Sequence, residues 1–228
     1  MKHLLHAALL GLSLSATPLS AEVLRVAPFD QAQQQPGFVA YRDAFLKAVL
    51  ARDIPAMLDF VSPDVELSFG GDAGHEAFVR FLTVPSELLS PEYRDQAGEM
   101  RAEYWGALET VLRGGGAFQD DGTFYAPYTA AVDLPEQFTP YDTFFVIGTD
   151  VPLRARPNGL SKIVARMDHE VLLAVYQENE PKRFRKVERG NGQEGFVRRD
   201  QLRSVVDYRA LFTRESGTWQ MFLFLAGD

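Results

Sequence analysis

Carboxylates are the abundant reactive side chains of this chain: 31 Asp and Glu stand beside 23 Lys and Arg, 4 His and no Cys in 228 residues. Two groupings have a spacing that could carry acid–base chemistry. Val65, Leu67 and Phe69 alternate with Asp64, Glu66 and Ser68. That is the pattern of a half-buried strand, so Asp64 and Glu66 leave it on the same side. The stretch FGGDAGHE then gathers Asp72, His75 and Glu76 around a glycine turn. Either group becomes a general acid or base only if a cavity desolvates it and raises its pKa. The competing structural role is simpler: alternating acids form the solvated face of a strand, and Gly70, Gly71 and Gly74 make a turn.

Other catalytic constellations are missing. Zero cysteine removes thiol nucleophiles, thiolate metal sites and disulfides together. His3 and His6 lie within the first 21 residues, which leaves His75 and His169, and neither belongs to a paired-histidine metal motif. There is no GxSxG or GxxxxGKS, so the nucleophile elbow and the P-loop are absent. The sequence implies no metal or cofactor and points away from an enzyme.

The sharpest surface feature is the basic run Lys182-Arg183-Phe184-Arg185-Lys186, with Phe196 and Arg198 on a strand close by. Arg183, Arg185, Lys186 and Arg198 could grip an anionic wall polymer, with Phe184 stacking on a sugar. The same charges could instead guard an edge strand or face an acidic part of the chain. Residues 22–140 hold 8 basic and 19 acidic residues, whereas 150–204 hold 12 basic and 8 acidic. Charge asymmetry of this kind suggests two units with different surfaces.

These groups need elements to hold them. Residues 1–21 have a basic start, an apolar run and a proline-broken stretch of small residues. That is a secretory signal peptide, cleaved after Ala21, which makes the mature protein periplasmic or secreted. Export leaves nucleic acid an implausible partner, and no later segment is apolar enough to span a membrane. Residues 22–36, with AQQQP, read as a mobile leader. Phe38, Tyr41, Phe45, Ala48 and Val49 form one helical face ending near Arg52, followed by a short turn that Pro63 stops. Ser90-Pro91-Glu92 opens a helix carrying the stripe Ala97, Met100, Tyr104, Leu108 and Val111, ended by the glycines at 114–116. Short strands are expected at 144–147, 163–165, 171–177, 184–188 and 195–198. The last strand, Trp219-Gln220-Met221-Phe222-Leu223-Phe224-Leu225, is apolar on both faces, with Trp219, Met221, Leu223 and Leu225 on one and Phe222 and Phe224 on the other. Such a strand belongs inside a covered sheet, so the closing hairpin returns to the first unit with the strand-rich unit inserted before it.

The strand-rich segment resembles the bacterial SH3-like (SH3b) domain of exported and wall-associated proteins. VPLRARPN, SKIVARMDHEVLLAV and GQEGFVRRDQL occur in that family's order, with Arg154, Pro157, Gly195, Phe196, Val197 and Leu202 at matching positions. Where the family has an aromatic pair, this chain has Phe184-Arg185, and Arg156 replaces a signature glycine. The flanking segments FLKAVLARDIPAMLDFV and SGTWQMFLFLAGD resemble the nuclear-transport-factor-2-like cone fold. Together these imply an α+β chain: helices on a curved antiparallel sheet (37–149 plus 205–228) and a small SH3-like barrel (150–204). The implied function is an exported, non-enzymatic binding protein whose barrel recognises a cell-wall polymer or an envelope protein. The alternatives are a carboxylate enzyme using Asp64, Glu66 or Asp72 in a cone pocket, and a structural or inhibitory partner of another envelope protein.

Overall fold

The computed structural model describes residues 23–215 and 217–227; residues 1–21, expected from the sequence to be a signal peptide, lie outside the described residues. Helix α1 (Pro36–Ala51) buries Phe38, Phe45, Ala48 and Val49, the face its spacing predicts, and stops at Arg52 in the left-handed region, φ 58°. Helix α2 (Ile54–Leu58) is capped by the Asp53 side chain, which accepts from the Ala56 N–H. Helix α3 (Gly74–Thr83) follows. Ser90 supplies no cap: Pro91–Gln96 is a tight 3-10 turn, and α4 (Ala97–Arg113) starts only after it. No helix among the described residues is long and apolar enough to cross a membrane.

The strands are β1 (Val61–Glu66), β2 (Ala117–Phe118), β3 (Phe124–Ala126), β4 (Thr143–Val146), β5 (Val151–Arg154), β6 (Ile163–Met167), β7 (Val171–Ala174), β8 (Phe184–Arg189), β9 (Glu194–Arg198), β10 (Leu202–Ser204), β11 (Arg209–Glu215) and β12 (Thr218–Leu225). They form two sheets, ordered β1-β12-β11-β3-β2 and β10-β4-β7-β8-β9-β5-β6. The architecture is therefore mixed helix and sheet. Three details differ from the sequence expectation. The first sheet is mixed rather than antiparallel, because β1 runs parallel to β12; the long stretch between them gives ample room for the crossover a parallel pair needs. Pro63 does not stop an element but lies inside β1, an edge strand, where a missing N–H is tolerated. The second sheet is open, since its end strands β10 and β6 do not pair among the described residues, and it starts at Thr143 rather than 150, because β4 pairs with β7 and β10.

The closing hairpin sits in the first sheet, where β11 pairs with β3 and β12 with β1. The register slips between Leu211 and Phe212, opposite Leu223 and Met221, leaving Phe222 as a bulge. A bulge reverses the parity of side chains beyond it. Phe224 accordingly joins Trp219 and Met221 in one core, instead of facing away from them as strict alternation requires. That core also holds Phe38, Phe45, Leu108, Phe124 and Phe212. A second, smaller core of Val146, Val151, Leu153, Met167, Leu172, Val187 and Val197 belongs to the second sheet.

Residues 23–35, expected as a mobile leader, are tied to both sheets. Val26 N–H donates to His169 O at 2.8 Å and Val171 N–H to Leu24 O at 2.9 Å. Further on, Gln31 N–H donates to Gly116 O at 2.9 Å and Gly116 N–H to Phe29 O at 3.0 Å. Gly115 has φ 67°, and a Cβ there would lie 2.2 Å from the Phe29 carbonyl oxygen, so the strap needs glycine at this crossing. These backbone bonds, together with the side chains of Arg25, Asp30 and Gln31, hold the strap in place.

Candidate functional site

A cleft opens between α3 and α4. Ala77, Phe78 and Leu82 of α3 face the core, which turns Arg80 and Phe81 towards the cleft. Met100 and Tyr104, four residues apart on α4, line the opposite wall, and Leu88 and Leu89 close one end. The volume is about 450 Å³. Phe81 and Tyr104 stack with centroids 4.1 Å apart, and Phe81 contacts Tyr208 and Phe224 edge-on behind the wall. Burial raises the Tyr104 hydroxyl pKa, with the Glu103 charge adding to it, and burial chiefly raises Tyr208 as well. Both phenols stay neutral hydrogen-bonding groups at physiological pH. Leu88 is 66% exposed and Phe69, near the mouth, is equally open. The sequence stripe assigned Met100 and Tyr104 to the core; instead α4 buries Ala97, Trp105, Leu108, Val111 and Leu112, leaving those two for the cleft.

The four candidate acid–base residues do not assemble. Asp64 and Glu66 are exposed on β1, with Val61 and Val65 turned inward. Asp72 lies at the cleft rim, where its carboxylate accepts from the Ser68 hydroxyl at 3.2 Å while its N–H donates to Ser68 Oγ at 3.1 Å. That closed pair holds the turn. His75 Nε2 lies 3.0 Å from the Val61 carbonyl oxygen; a carbonyl can only accept, so this nitrogen carries the proton and braces α3 against β1. Among the described residues no hydrogen bond or ion pair joins Asp64, Glu66, Asp72 and His75, and no cluster of three His, Asp or Glu could hold a metal.

Two of the four charges of the basic run, Arg185 and Lys186, are paired nearby, and so is Arg198. Lys186 pairs with Glu194 at 2.5 Å, and Arg198 pairs with Asp200. Arg185 reaches Glu180 at 3.5 Å and lies over the Phe144 ring at 4.7 Å. Phe184 is only 7% exposed, so its ring is not the sugar platform its sequence position suggested. Its place at the start of β8, beside the inward-facing Val187, turns it inside. Phe196 is half-buried, opposite Lys186 across β8 and β9. Arg183 is exposed and, among the described residues, forms no ion pair. The sequence reading missed Glu170, a wholly buried carboxylate held by Arg189. The one signal for it was an acid next to the apolar strand 171–174.

No protein-family profile matches the chain, and no curated protein or solved structure matches it either.

Proposed function

We propose that the chain is an exported envelope protein that binds a small, largely apolar ligand in the α3–α4 cleft without transforming it. The cleft carries this reading. Its roughly 450 Å³ falls within the ~300–1,000 Å³ typical of small-molecule sites, and its lining is aromatic and aliphatic with Asp72 and Arg80 at the polar edge. Asp72, the one carboxylate lining it among the described residues, is bonded to Ser68 and holds the loop. Export rests on the three-part pattern of residues 1–21. In this reading the helices and first sheet form a cone-like unit with the cleft at its mouth.

The second sheet is the SH3-like unit of the proposal. The three quoted motifs support this, because they all fall on strands of one sheet: VPLR on β5, IVARM and VLLA on β6 and β7, and EGFVR on β9 with the closing Leu202 on β10. Arg183 gives that unit a salt-sensitive contact for an anionic wall polymer. The carboxylate-enzyme alternative keeps only Asp72 at the cleft, and that side chain is bonded to Ser68.

Titration with the neutral apolar dye Nile red tests the cleft. Saturable binding by the mature protein, abolished in Met100→Arg with the circular dichroism spectrum unchanged, is the expected result. Absence of saturable binding, or equal binding by the variant, overturns the proposal.

A further inference from the structure

On the other side of the α3 terminus, a shallow cavity of about 600 Å³ is lined by Arg52, Leu82, Thr83, Gly98, Arg101 and Trp105. Gly98, Arg101 and Trp105 are spaced 3 and 4 apart along α4 and share one of its faces. Each of the two arginines is held in place by a partner that leaves guanidinium N–H groups open, and Trp105 is the base on which Arg52 rests. Trp105 is 5% exposed, and its indole N–H donates to Leu82 O at 3.1 Å, which fixes the ring. The Arg52 guanidinium carbon stands 4.5 Å from that ring's centroid. A guanidinium stacked on an aromatic face uses its plane, so its N–H edge remains available to an acceptor. Arg101 donates through Nε to Thr83 O at 2.8 Å, and its two terminal nitrogens stay available.

Charge makes the arrangement more telling. The unit between 22 and 140 carries 19 acidic against 8 basic residues; Arg25, Arg42 and Arg113 are paired with carboxylates, whereas among the unpaired ones Arg52 and Arg101 are the two that share one cavity. Among the described residues, neither Arg52 nor Arg101 forms an ion pair. Two arginines positioned at one cavity, in an acidic unit that offers many carboxylates, are left for an outside anion. Arg52 also keeps a left-handed backbone, φ 58°, a conformation uncommon for side chains other than glycine and asparagine. Its place at the α1 terminus puts the side chain over Trp105.

We propose that Arg52, Arg101 and Trp105 form an oxyanion-binding site that takes a phosphate or carboxylate group of a small soluble ligand. The guanidinium edges supply paired, charge-assisted hydrogen bonds, and the buried Trp105 ring is the aromatic base that holds the Arg52 guanidinium in position. This site lies apart from the α3–α4 cleft, so neither proposal depends on the other.

The test is a titration of the mature protein with inorganic phosphate, glycerol 3-phosphate and acetate at constant ionic strength, read by calorimetry and by tryptophan fluorescence. Trp105 adjoins Arg52, so occupancy changes its emission. Saturable binding of at least one anion is expected, weakened about tenfold in Arg52→Gln and in Arg101→Gln, since one charge-assisted contact is lost in each. A sedimentation arm with phosphatidylglycerol vesicles separates the sources: binding there but not to the soluble anions overturns the small-ligand assignment. No saturable binding, or binding retained when both arginines are Gln, overturns the site. Thermal unfolding of each variant shows that it is folded, and if Arg52→Gln fails to fold, Arg101→Gln decides.

Discussion

Arg189 grips the wholly buried Glu170 with two hydrogen bonds, Nε to Oε2 at 2.7 Å and Nη2 to Oε1 at 2.8 Å. Arg25, from the N-terminal strap, reaches the same carboxylate at 3.4 Å with a side chain 57% exposed. The two arginines therefore have different energetic weight. Arg189→Ala leaves a buried charge without its partner and costs about 3–5 kcal/mol. Arg25→Ala removes a solvated, longer contact and costs under about 1 kcal/mol. Urea unfolding of both variants checks the asymmetry, and equal losses would refute it.

Trp219 packs against Phe38 at 4.9 Å and Phe118 at 5.8 Å, so the last strand closes a core begun by the first helix. Trp219→Ala empties that position and costs about 3–5 kcal/mol. Residues 23–149 cut away from the closing hairpin lose both β11 and β12 from the centre of their sheet. Expressed alone, that fragment is expected to lack a cooperative thermal transition. A fragment that unfolds cooperatively near the temperature of the full chain would contradict this dependence.

The helices were legible because their apolar spacing is local: Phe38, Phe45, Ala48 and Val49 recur on one face of α1. The last strand was legible too, since WQMFLFL is apolar on both sides. What the sequence hid depends on distant partners. The bulge at Phe222 appears only once Leu211 and Phe212 are laid beside Leu223 and Met221. The strap looked mobile because its bonds to His169, Val171 and Gly116 are backbone bonds, which leave no trace in composition. At the cleft, a helical stripe cannot distinguish residues facing a core from residues facing a cavity, which is why Met100 and Tyr104 were misplaced and Trp105 was overlooked. Among the basic residues, type alone could not show that Lys186 and Arg198 are already paired.

Arg183 and Arg185 are neighbours with opposite surroundings. Arg185 has a side chain only 13% exposed, near Glu180 and over the Phe144 and Tyr176 rings. Arg185→Glu puts a carboxylate beside Glu180 and removes both ring contacts, so it lowers the melting temperature measurably. Arg183→Glu lies on the open surface and is expected to change stability by no more than about 0.5 kcal/mol. Sedimentation with purified cell-wall sacculi then tests the wall contact through Arg183 alone. Retention that falls in Arg183→Glu and with added salt supports it, and unchanged retention removes Arg183 from the binding surface.

Asp30 anchors the far end of the strap. Burial alone would raise its pKa, but hydrogen bonds from the Arg42 guanidinium and the Ala32 N–H, with the Arg42 charge, outweigh that and hold it below its ordinary 3.8. The contacts are Arg42 Nη1 to Oδ1 at 2.9 Å and Nη2 to Oδ2 at 2.6 Å. A carboxylate whose pKa is lower folded than unfolded stabilises the fold fully above the unfolded value, and loses that contribution as pH falls through the folded value. Wild type should therefore exceed Asp30→Asn in stability by a constant amount at neutral and mildly acidic pH. The gap should shrink once the pH drops below 3.8, the ordinary value of the group. Partial exposure of the pair keeps the gap small. Urea midpoints of both proteins at pH 7, 5 and 3 measure it. A difference that grows towards low pH would have the wrong sign for a carboxylate held ionised by Arg42, and would place the anchor of the strap in its backbone bonds to Gly116 alone.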